Sequence, residues 1–444
     1  MITRIEIDGF KTFEGFSLDL QPFTAIVGPN ASGKSNLFDA LRFLSLLAQH
    51  DIPTATRRLR GEPEELFRRS GGEVSKCMSF AVEVLLGSHG VDDFGTTYKI
   101  SGQRVRYRLA LALIENKDGT PVGIFVREET CRPIAKIADH GKFSDDIKIE
   151  YANRRNSFIE KSPDGEGILI RQDGHNKHGS PRRVSLKEAS RTTLSTMTTS
   201  EFPHLHALRD VLINIRFLEI NPTAARAENG RFEDRLMNAD ASNLAAVLAH
   251  QRQETATDLR PDGVLADVVA DLASLIPSVR RIIIQDEPSQ KRYSFSLEFH
   301  DGSIFSSRVI SDGTIRLLAL IAVLNDPRRR GTLCFEEPEN GVHEGRIRML
   351  VEILRNSAYI SMDPTEPSFQ ILLNTHSPQV MESLNDAEIV AADNVIVVEP
   401  LRNRKSIKTR MRTGVKRIGD IIDPEKHLTK FEIEKLLHQN HGAA

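Results

Sequence analysis

Apolar positions along this chain fall into two rhythms separated by turn-forming polar clusters. Unbroken apolar runs at Ala25-Ile26-Val27, at residues 332–335 (TLCF) and at residues 369–373 (FQILL) read as short buried strands. Alternating runs at residues 78–86 (MSFAVEVLL) and 105–113 (VRYRLALAL) predict further strands. Helical spacing recurs in residues 36–47 (NLFDALRFLSLL), 202–215, 263–276 and in the stretch that ends at Leu324. Asn116-Lys117-Asp118-Gly119 and Ser162-Pro163-Asp164-Gly165 are turn clusters that suggest hairpins. Residues 170–200 are polar, basic and rich in Ser and Thr, which predicts a mobile loop. Strands interleaved with helices point to an α/β fold.

One strand–helix junction carries chemistry. Residues 24–37, TAIVGPNASGKSNL, place Gly28-x4-Gly33-Lys34-Ser35 between an apolar run and a helix, the spacing of a phosphate-binding P-loop. Glycines let the chain turn tightly, so successive N–H groups face one anion, and the following helix adds its positive end. Lys34 can reach the β- and γ-phosphates and the Ser35 hydroxyl can ligate Mg²⁺, so ATP and Mg²⁺ are the expected ligands.

Three later segments decide which kind of nucleotide enzyme this is. Residues 309–324 run from a strand end through the turn Ser311-Asp312-Gly313-Thr314 into an amphipathic helix. Residues 332–347 (TLCFEEPENGVHEGRI) end an apolar strand in two adjacent carboxylates, Glu336 and Glu337. Residues 369–381 (FQILLNTHSPQVM) deliver His376 at the end of another buried strand. A parallel sheet gathers its site at the carboxyl ends of its strands, so P-loop, acid pair and histidine should converge on one edge.

In order and type these segments resemble the ABC-type ATPase heads of the RecF/SMC/Rad50 group. The nearest match is the stand-alone ATPase branch, which includes the ATPase part of OLD-family proteins and several phage-defence ATPases. ITRIEIDGFKTFEGFSLDL (residues 2–20) resembles the first hairpin of that family, and VGPNASGKSN (27–36) its Walker A motif. ISDGTIR (310–316) resembles its signature loop, CFEEPENGVH (334–343) its Walker B and D-loop, and NTHSP (374–378) its switch histidine. The likeness covers about residues 1–50 and 205–400.

It implies a P-loop NTPase of α/β class, an ABC-type head with a β-rich insertion between Walker A and signature. It also implies roles. Gly28, Asn30, Ser32, Gly33, Lys34, Ser35 and Asn36 would hold the nucleotide, with Lys11 a basic residue near the loop. Ser35 and Glu336 would hold Mg²⁺, and Glu337 would orient or deprotonate the attacking water. His376 would sense the γ-phosphate. Ser311 and Gly313 would contact ATP held by a second subunit, and Asn340 to His343 would line the dimer seam. The signature reads S-D-G-T where transporters have S-G-G-Q, which fits the RecF-like branch. Glu in place of the usual Asp at 336 lengthens the metal ligand and fits slow turnover. No glutamine takes a clear Q-loop frame, although Gln103 and Gln172 lie in strand-rich stretches.

Composition narrows the partners. A net charge of −2 does not suit a general nucleic-acid binder. Residues 402–417 (RNRKSIKTRMRTGVKR) stand out: Arg402, Arg404, Lys405, Lys408, Arg410, Arg412, Lys416 and Arg417, with no acid between them. Such a strip could neutralise DNA phosphates, or be a solvated tail or a dock for an acidic partner. Shorter basic clusters occur at Arg57-Arg58, Arg154-Arg155 and Arg182-Arg183. Trp is absent, which argues against base stacking along a single strand. Cys77, Cys131 and Cys334 have neither zinc nor disulfide spacing, no apolar run approaches the roughly 20 residues of a spanning helix, and the expectation is a cytoplasmic protein without membrane contact. His175, His178, His204 and His206 could suggest a metal centre or an HNH-like nuclease, but the string DGHNKHG (residues 173–179) lacks the flanking residues such a site needs and reads as a polar loop. Roughly 70 residues follow His376, and their basic character predicts an ATPase without its own nuclease.

The expected organisation is a head begun by residues 1–77, a β-rich inserted subdomain over 78–202, the rest of the head over 203–400 and a basic tail over 401–444. The expected function is ATP hydrolysis by a homodimer or higher oligomer that closes around ATP. Closure would drive a separately encoded effector such as a nuclease, in phage defence. The alternatives are a RecF-like DNA-repair ATPase and a non-hydrolysing ATP-gated scaffold.

Overall fold

The computed structural model describes residues 1–70, 73–139, 141, 143, 147–152, 156–174, 180–287, 289, 291–361, 366–399, 404–414, 423 and 426–439. Two large sheets dominate it. The first has seven strands in the order Ile215–Leu218, Gly331–Glu336, Phe369–Thr375, Phe23–Val27, Ile389–Glu399, Arg404–Gly414 and His427–Leu428. The first five run parallel. Phe23–Val27 and Phe369–Thr375 are buried at every position, as their unbroken apolar runs require of central parallel strands.

Period-two alternation divides their side chains between two cores. Ala25, Val27, Ile371 and Leu373 join the helices Leu244–Thr255, Leu265–Leu275, Asp312–Leu324 and Ile347–Ser357. Ile26 and Leu372 face the other way, toward the helices Lys34–Leu47 and Pro203–Ile213. Those two helices share a core with the second sheet. Phe10, Phe43 and Phe80 mark the junction, with ring centroids 5.3–6.1 Å apart. A small antiparallel sheet, which includes Val279–Glu287 and Arg292–Phe299, packs beside the other helices.

The second sheet has eight antiparallel strands. Its order is Arg182–Ser185, Gly167–Ile170, Ile159–Lys161, Pro121–Pro133, Arg104–Glu115, Cys77–Leu85, Ile2–Asp8 and Phe16–Asp19. The turns at 116–119 and 162–165 make the hairpins expected of them. Cys77–Leu85 pairs directly with Ile2–Asp8, so the strands expected of an insertion extend the sheet that the N-terminal hairpin begins. The expected division at 77/78 falls inside a strand.

Two expectations need correction. The described part of residues 170–200 is not a loose loop: Arg182–Ser185 is an edge strand, and Thr192, Leu194 and Ser195 are buried. The cause is Glu129, whose buried carboxylate accepts the N–H groups of Thr193 and Leu194 at 2.6 and 2.9 Å and fastens the segment to the sheet. His175 and His178 lie outside the described residues. Nor is the segment after 400 simply a tail. Arg404–Gly414 is a strand of the seven-stranded sheet, and the helix Lys430–Gln439 buries Ile433 and Leu437 in the main core.

Candidate nucleotide site

The P-loop leaves the strand Phe23–Val27 and enters the helix Lys34–Leu47. Ala31 and Gly33 both have left-handed backbones, with φ of 62° and 91°. Gly28 and Gly33 are also required by a neighbour. A side chain at Gly28 would meet the Ala392 carbonyl at 2.4 Å, and one at Gly33 would meet Thr409 Oγ1 at 2.0 Å. The hairpin Ile389–Glu399/Arg404–Gly414 therefore forms a wall against the loop, and Asn394 Nδ2 donates to the Ala31 carbonyl at 2.8 Å.

Lys34 folds back over this loop. Its Nζ donates to the Gly28 and Pro29 carbonyls at 2.7 and 2.8 Å. Burial holds its ammonium below the usual lysine range, against the pull of Glu337, Glu336 and Glu339. The helix behind it has no side-chain cap and no acid in its first turn, which leaves its positive end for an anion. Ser32 Oγ is buried without a hydrogen-bond partner among the described residues. Asn36 turns away, donating to Thr12 Oγ1 at 2.8 Å, and Lys11 pairs with Asp39 of the helix at 2.6 Å. Asn30 is exposed.

The acid pair ends the neighbouring parallel run. Glu336 closes Gly331–Glu336, opposite Asn374 in register. Asn374 Nδ2 donates to Glu336 Oε1 at 3.1 Å and lies 3.4 Å from Ser35 Oγ, so one amide joins the two candidate metal ligands. Glu337 has a left-handed backbone, φ 50°, unusual for a residue with a side chain. Its Oε1 lies 3.1 Å from His376 Nδ1, and its Oε2 accepts Asn340 Nδ2 at 2.8 Å. Both Glu337 and His376 are more than two-fifths exposed, open to an incoming water. Glu339 lies deeper. It accepts Thr375 Oγ1 at 2.6 Å, and burial pushes its carboxyl up.

Ser311 caps the helix Asp312–Leu324 by accepting the Thr314 N–H. Gly313 lies against Gly341, where an added side chain would meet a carbonyl at 2.8 Å. The signature turn thus packs on the loop after the acid pair. No hydrogen bond among the described residues joins Ser311 or Gly313 to the P-loop of the same chain.

These residues fit Mg²⁺ and a nucleotide. Ser35 and Glu336 offer the hard oxygens that Mg²⁺ prefers. The buried Ser32 Oγ and Asn374 Oδ1 lack partners within the described chain.

A family model described as "AAA domain, putative AbiEii toxin, Type IV TA system" matches residues 23–382. The chain belongs to this AAA-domain family. Among curated relatives it is similar to the chromosome partition protein Smc of Rhodopseudomonas palustris, 24% identical over 63% of this chain and 24% of that protein. It is also similar to the DNA replication and repair protein RecF of Lactococcus lactis, 31% identical over 20% of this chain and 25% of that protein. The chain thus spans about a quarter of the Rhodopseudomonas relative's length. Among solved structures it is similar to an Smc head bound to the C-terminal winged-helix domain of ScpA, with TM-score 0.49 and 15% identity over 93% of this chain and 98% of that one. It is an ABC-type ATPase of RecF/SMC/Rad50 kind, with the P-loop α/β fold of that class.

Within this AAA domain, other candidate residues lie apart from the edge. Gln103 bonds the Leu86 carbonyl and the Glu150 N–H, and Gln172 bonds Glu201, so both serve the antiparallel sheet. The strand Ile215–Leu218 beside the acid pair is instead followed by Glu219, which pairs with Arg42 of the P-loop helix. His204 lies between Asp173 and the carbonyls of Ser101 and Gly102, stacked on Phe158. His206 joins Tyr98 and Asp93. Both histidines fasten the helix Pro203–Ile213.

In the basic strip, Arg410 and Arg412 reach Asp393 Oδ2 at 2.7 and 2.8 Å. Their charge is largely answered within the chain. Arg402, Lys416 and Arg417, like Arg154 and Arg155, lie outside the described residues. The reading from sequence missed Asn374, Glu339 and Thr409. For Asn374 a signal existed, since it stands two residues before His376 at the end of an apolar strand.

Proposed function

We propose that this chain binds Mg²⁺-ATP, hydrolyses it, and closes as a homodimer around the nucleotide to drive a separate partner. The observation that carries this reading is the convergence of Lys34, Ser35, Glu336, Glu337 and His376 on one sheet edge, linked through Asn374. Lys34 and the loop amides would hold the β- and γ-phosphates, with Lys34 exchanging its carbonyl contacts for phosphate oxygens. Ser35 and Glu336 would hold Mg²⁺, which supplies charge neutralisation at the phosphates. Glu337 takes a proton from the attacking water as its oxygen bonds to the γ-phosphorus and the bond to the β–γ bridging oxygen breaks. His376, within reach of the same carboxylate, fixes its direction and contacts the γ-phosphate. Ser311 and Gly313, which make no hydrogen bond to their own P-loop among the described residues, suit a contact to ATP in a second copy.

The effector we favour is a separately encoded protein such as a nuclease, in prokaryotic defence within the cytoplasm. The toxin–antitoxin wording of the family description supports that setting. Among the described residues no helix is long and apolar enough to cross a membrane.

Substitution of Lys34 tests the core of the reading. ATP with Mg²⁺ should raise the melting temperature of the wild-type chain by ligand linkage, and Lys34→Ala should lose that rise. An equal rise in the variant would overturn the site. Direct DNA binding is tested at Arg410 and Arg412. If the strip meets DNA phosphates, Arg410→Ala with Arg412→Ala should weaken DNA affinity and flatten its salt dependence. An unchanged slope assigns the strip to the fold alone.

A further inference from the structure

The hairpin beside the P-loop carries a feature that phosphate binding does not use. Its face toward the loop can be followed pair by pair across the two strands. Ala392 and Met411 are partners buried in the core. Asn394 and Thr409 come next, and these grip Ala31 and crowd Gly33. The following pair on that face is Ile396 and Ile407, which are 63% and 56% exposed. Side chains two residues apart share a face, and two residues of strand span about 7 Å. Two isoleucines therefore stand in water about 7 Å beyond the wall of the phosphate loop.

This pair is not a frayed tip. The Thr409 N–H donates to the Thr12 carbonyl at 3.0 Å, and Arg68 Nη1 donates to the Ile407 carbonyl at 3.0 Å. Arg68 Nη2 also reaches Ser406 Oγ at 3.3 Å, and the Arg68 side chain is itself almost fully buried. The strand edge at Ile407 that faces away from Ile389–Glu399 is thus held while the Ile407 side chain stays exposed. A fixed apolar surface continuous with an anion cradle suits a ligand that is anionic at one end and flat and apolar at the other. A nucleoside triphosphate has that form, with a ribose between its phosphates and the π-face of its base.

We propose that Ile396 and Ile407 are the base platform of the nucleotide site, receiving one face of the purine while the P-loop holds the phosphates. This rests on the nucleotide reading above. A platform of two aliphatic side chains grips the face of a base and not its edge, so adenine and guanine should depend on it alike.

The test uses the full chain with Mg²⁺ and three probes, ATP, GTP and inorganic tripolyphosphate, titrated by calorimetry. The double variant Ile396→Ser/Ile407→Ser should keep the wild-type melting temperature, since neither side chain is in the core. It should lose about tenfold or more in affinity for ATP and GTP, the scale of losing an apolar contact of this size. Tripolyphosphate affinity should not change, and Ile407→Phe should retain ATP binding. Unchanged ATP affinity in the double variant overturns the platform, as does an equal fall for ATP and tripolyphosphate. Unchanged ATP affinity with a loss of self-association would assign the pair to a subunit contact. A wild-type chain that binds neither ATP nor tripolyphosphate would overturn the nucleotide reading, and the platform with it.

Discussion

The antiparallel sheet and the edge of the parallel sheet both bury charge, but they treat it differently. In the antiparallel sheet, Arg104 is fully enclosed, with Nε and Nη2 on the two oxygens of Asp139 at 2.7 and 2.8 Å and Nη1 on Thr3. Glu129 is similarly closed by Tyr107 and two backbone N–H groups. At the parallel edge, Lys34 rests on two backbone carbonyls, Glu337 is divided between a histidine and an amide, and Ser32 Oγ, Asn374 Oδ1 and Glu339 Oε2 have no partner among the described residues. Unpartnered buried polar atoms are costly unless something else answers them. At Arg104 and Glu129 the bonding is saturated and serves the fold, whereas the unpartnered atoms at the parallel edge lie beside the loop proposed to receive a ligand.

That contrast predicts opposite responses to substitution. The largest effect should come at Glu337. Glu337→Gln keeps the shape and the Asn340 contact but removes the proposed base, so phosphate release should fall about 10²–10⁴-fold. ATP-induced thermal stabilisation should remain, and the folded state should be no less stable. Phosphate release at the wild-type rate would remove Glu337 as the base. Arg104→Met should do the reverse. It leaves Asp139 buried without its cation, a loss of about 3–5 kcal/mol in denaturant unfolding. ATP affinity in the surviving folded protein should be unaltered. A variant that melts normally yet binds ATP poorly would break the distinction between the two regions.

The smallest effect concerns pH. Because burial holds the Lys34 ammonium below the ordinary lysine range, raising the pH removes its proton earlier than from an exposed lysine. Its charge, and with it part of the attraction for phosphate, is present at neutral pH and declines as pH climbs toward about 10. ATP affinity should therefore fall several-fold over that interval, whereas Lys34→Arg should show a flat profile because guanidinium keeps its proton. Parallel profiles for the two proteins would show that another group governs the alkaline loss.

What could be read from sequence was local. Gly28 to Ser35, Glu336-Glu337 and His376 each sit at the end of an apolar run, so strand length, turn chemistry and residue type announce them without knowledge of pairing. Asn374 escaped because its meaning depends on register: it matters by standing opposite Glu336 and near Ser35, which is 339 residues away in sequence. The strip at 402–417 misled for a different reason. Counting its cations hid the alternation of Ile407, Thr409 and Met411 with Lys408, Arg410 and Arg412, which is a strand pattern. The joining of Cys77–Leu85 to Ile2–Asp8 was not legible either, because nothing in either run specifies its partner across some 70 residues.

The interleaving of the parallel sheet also sets a timetable. Phe23–Val27, the strand that launches the P-loop, is hydrogen-bonded on one side to Phe369–Thr375 and on the other to Ile389–Glu399. During synthesis neither neighbour exists until about 340 more residues have been added, roughly 17–70 s at ribosomal rates of about 5–20 residues per second. Through that interval the nascent chain carries a five-residue strand, fully buried in the finished protein, with both hydrogen-bonding edges unmatched. The antiparallel hairpins from Cys77 onward emerge early and can pair with Ile2–Asp8 while translation continues. Half of the molecule can thus fold in order of appearance. The candidate nucleotide site draws on residues from 28 to 376, so it cannot be complete until the last of these has emerged.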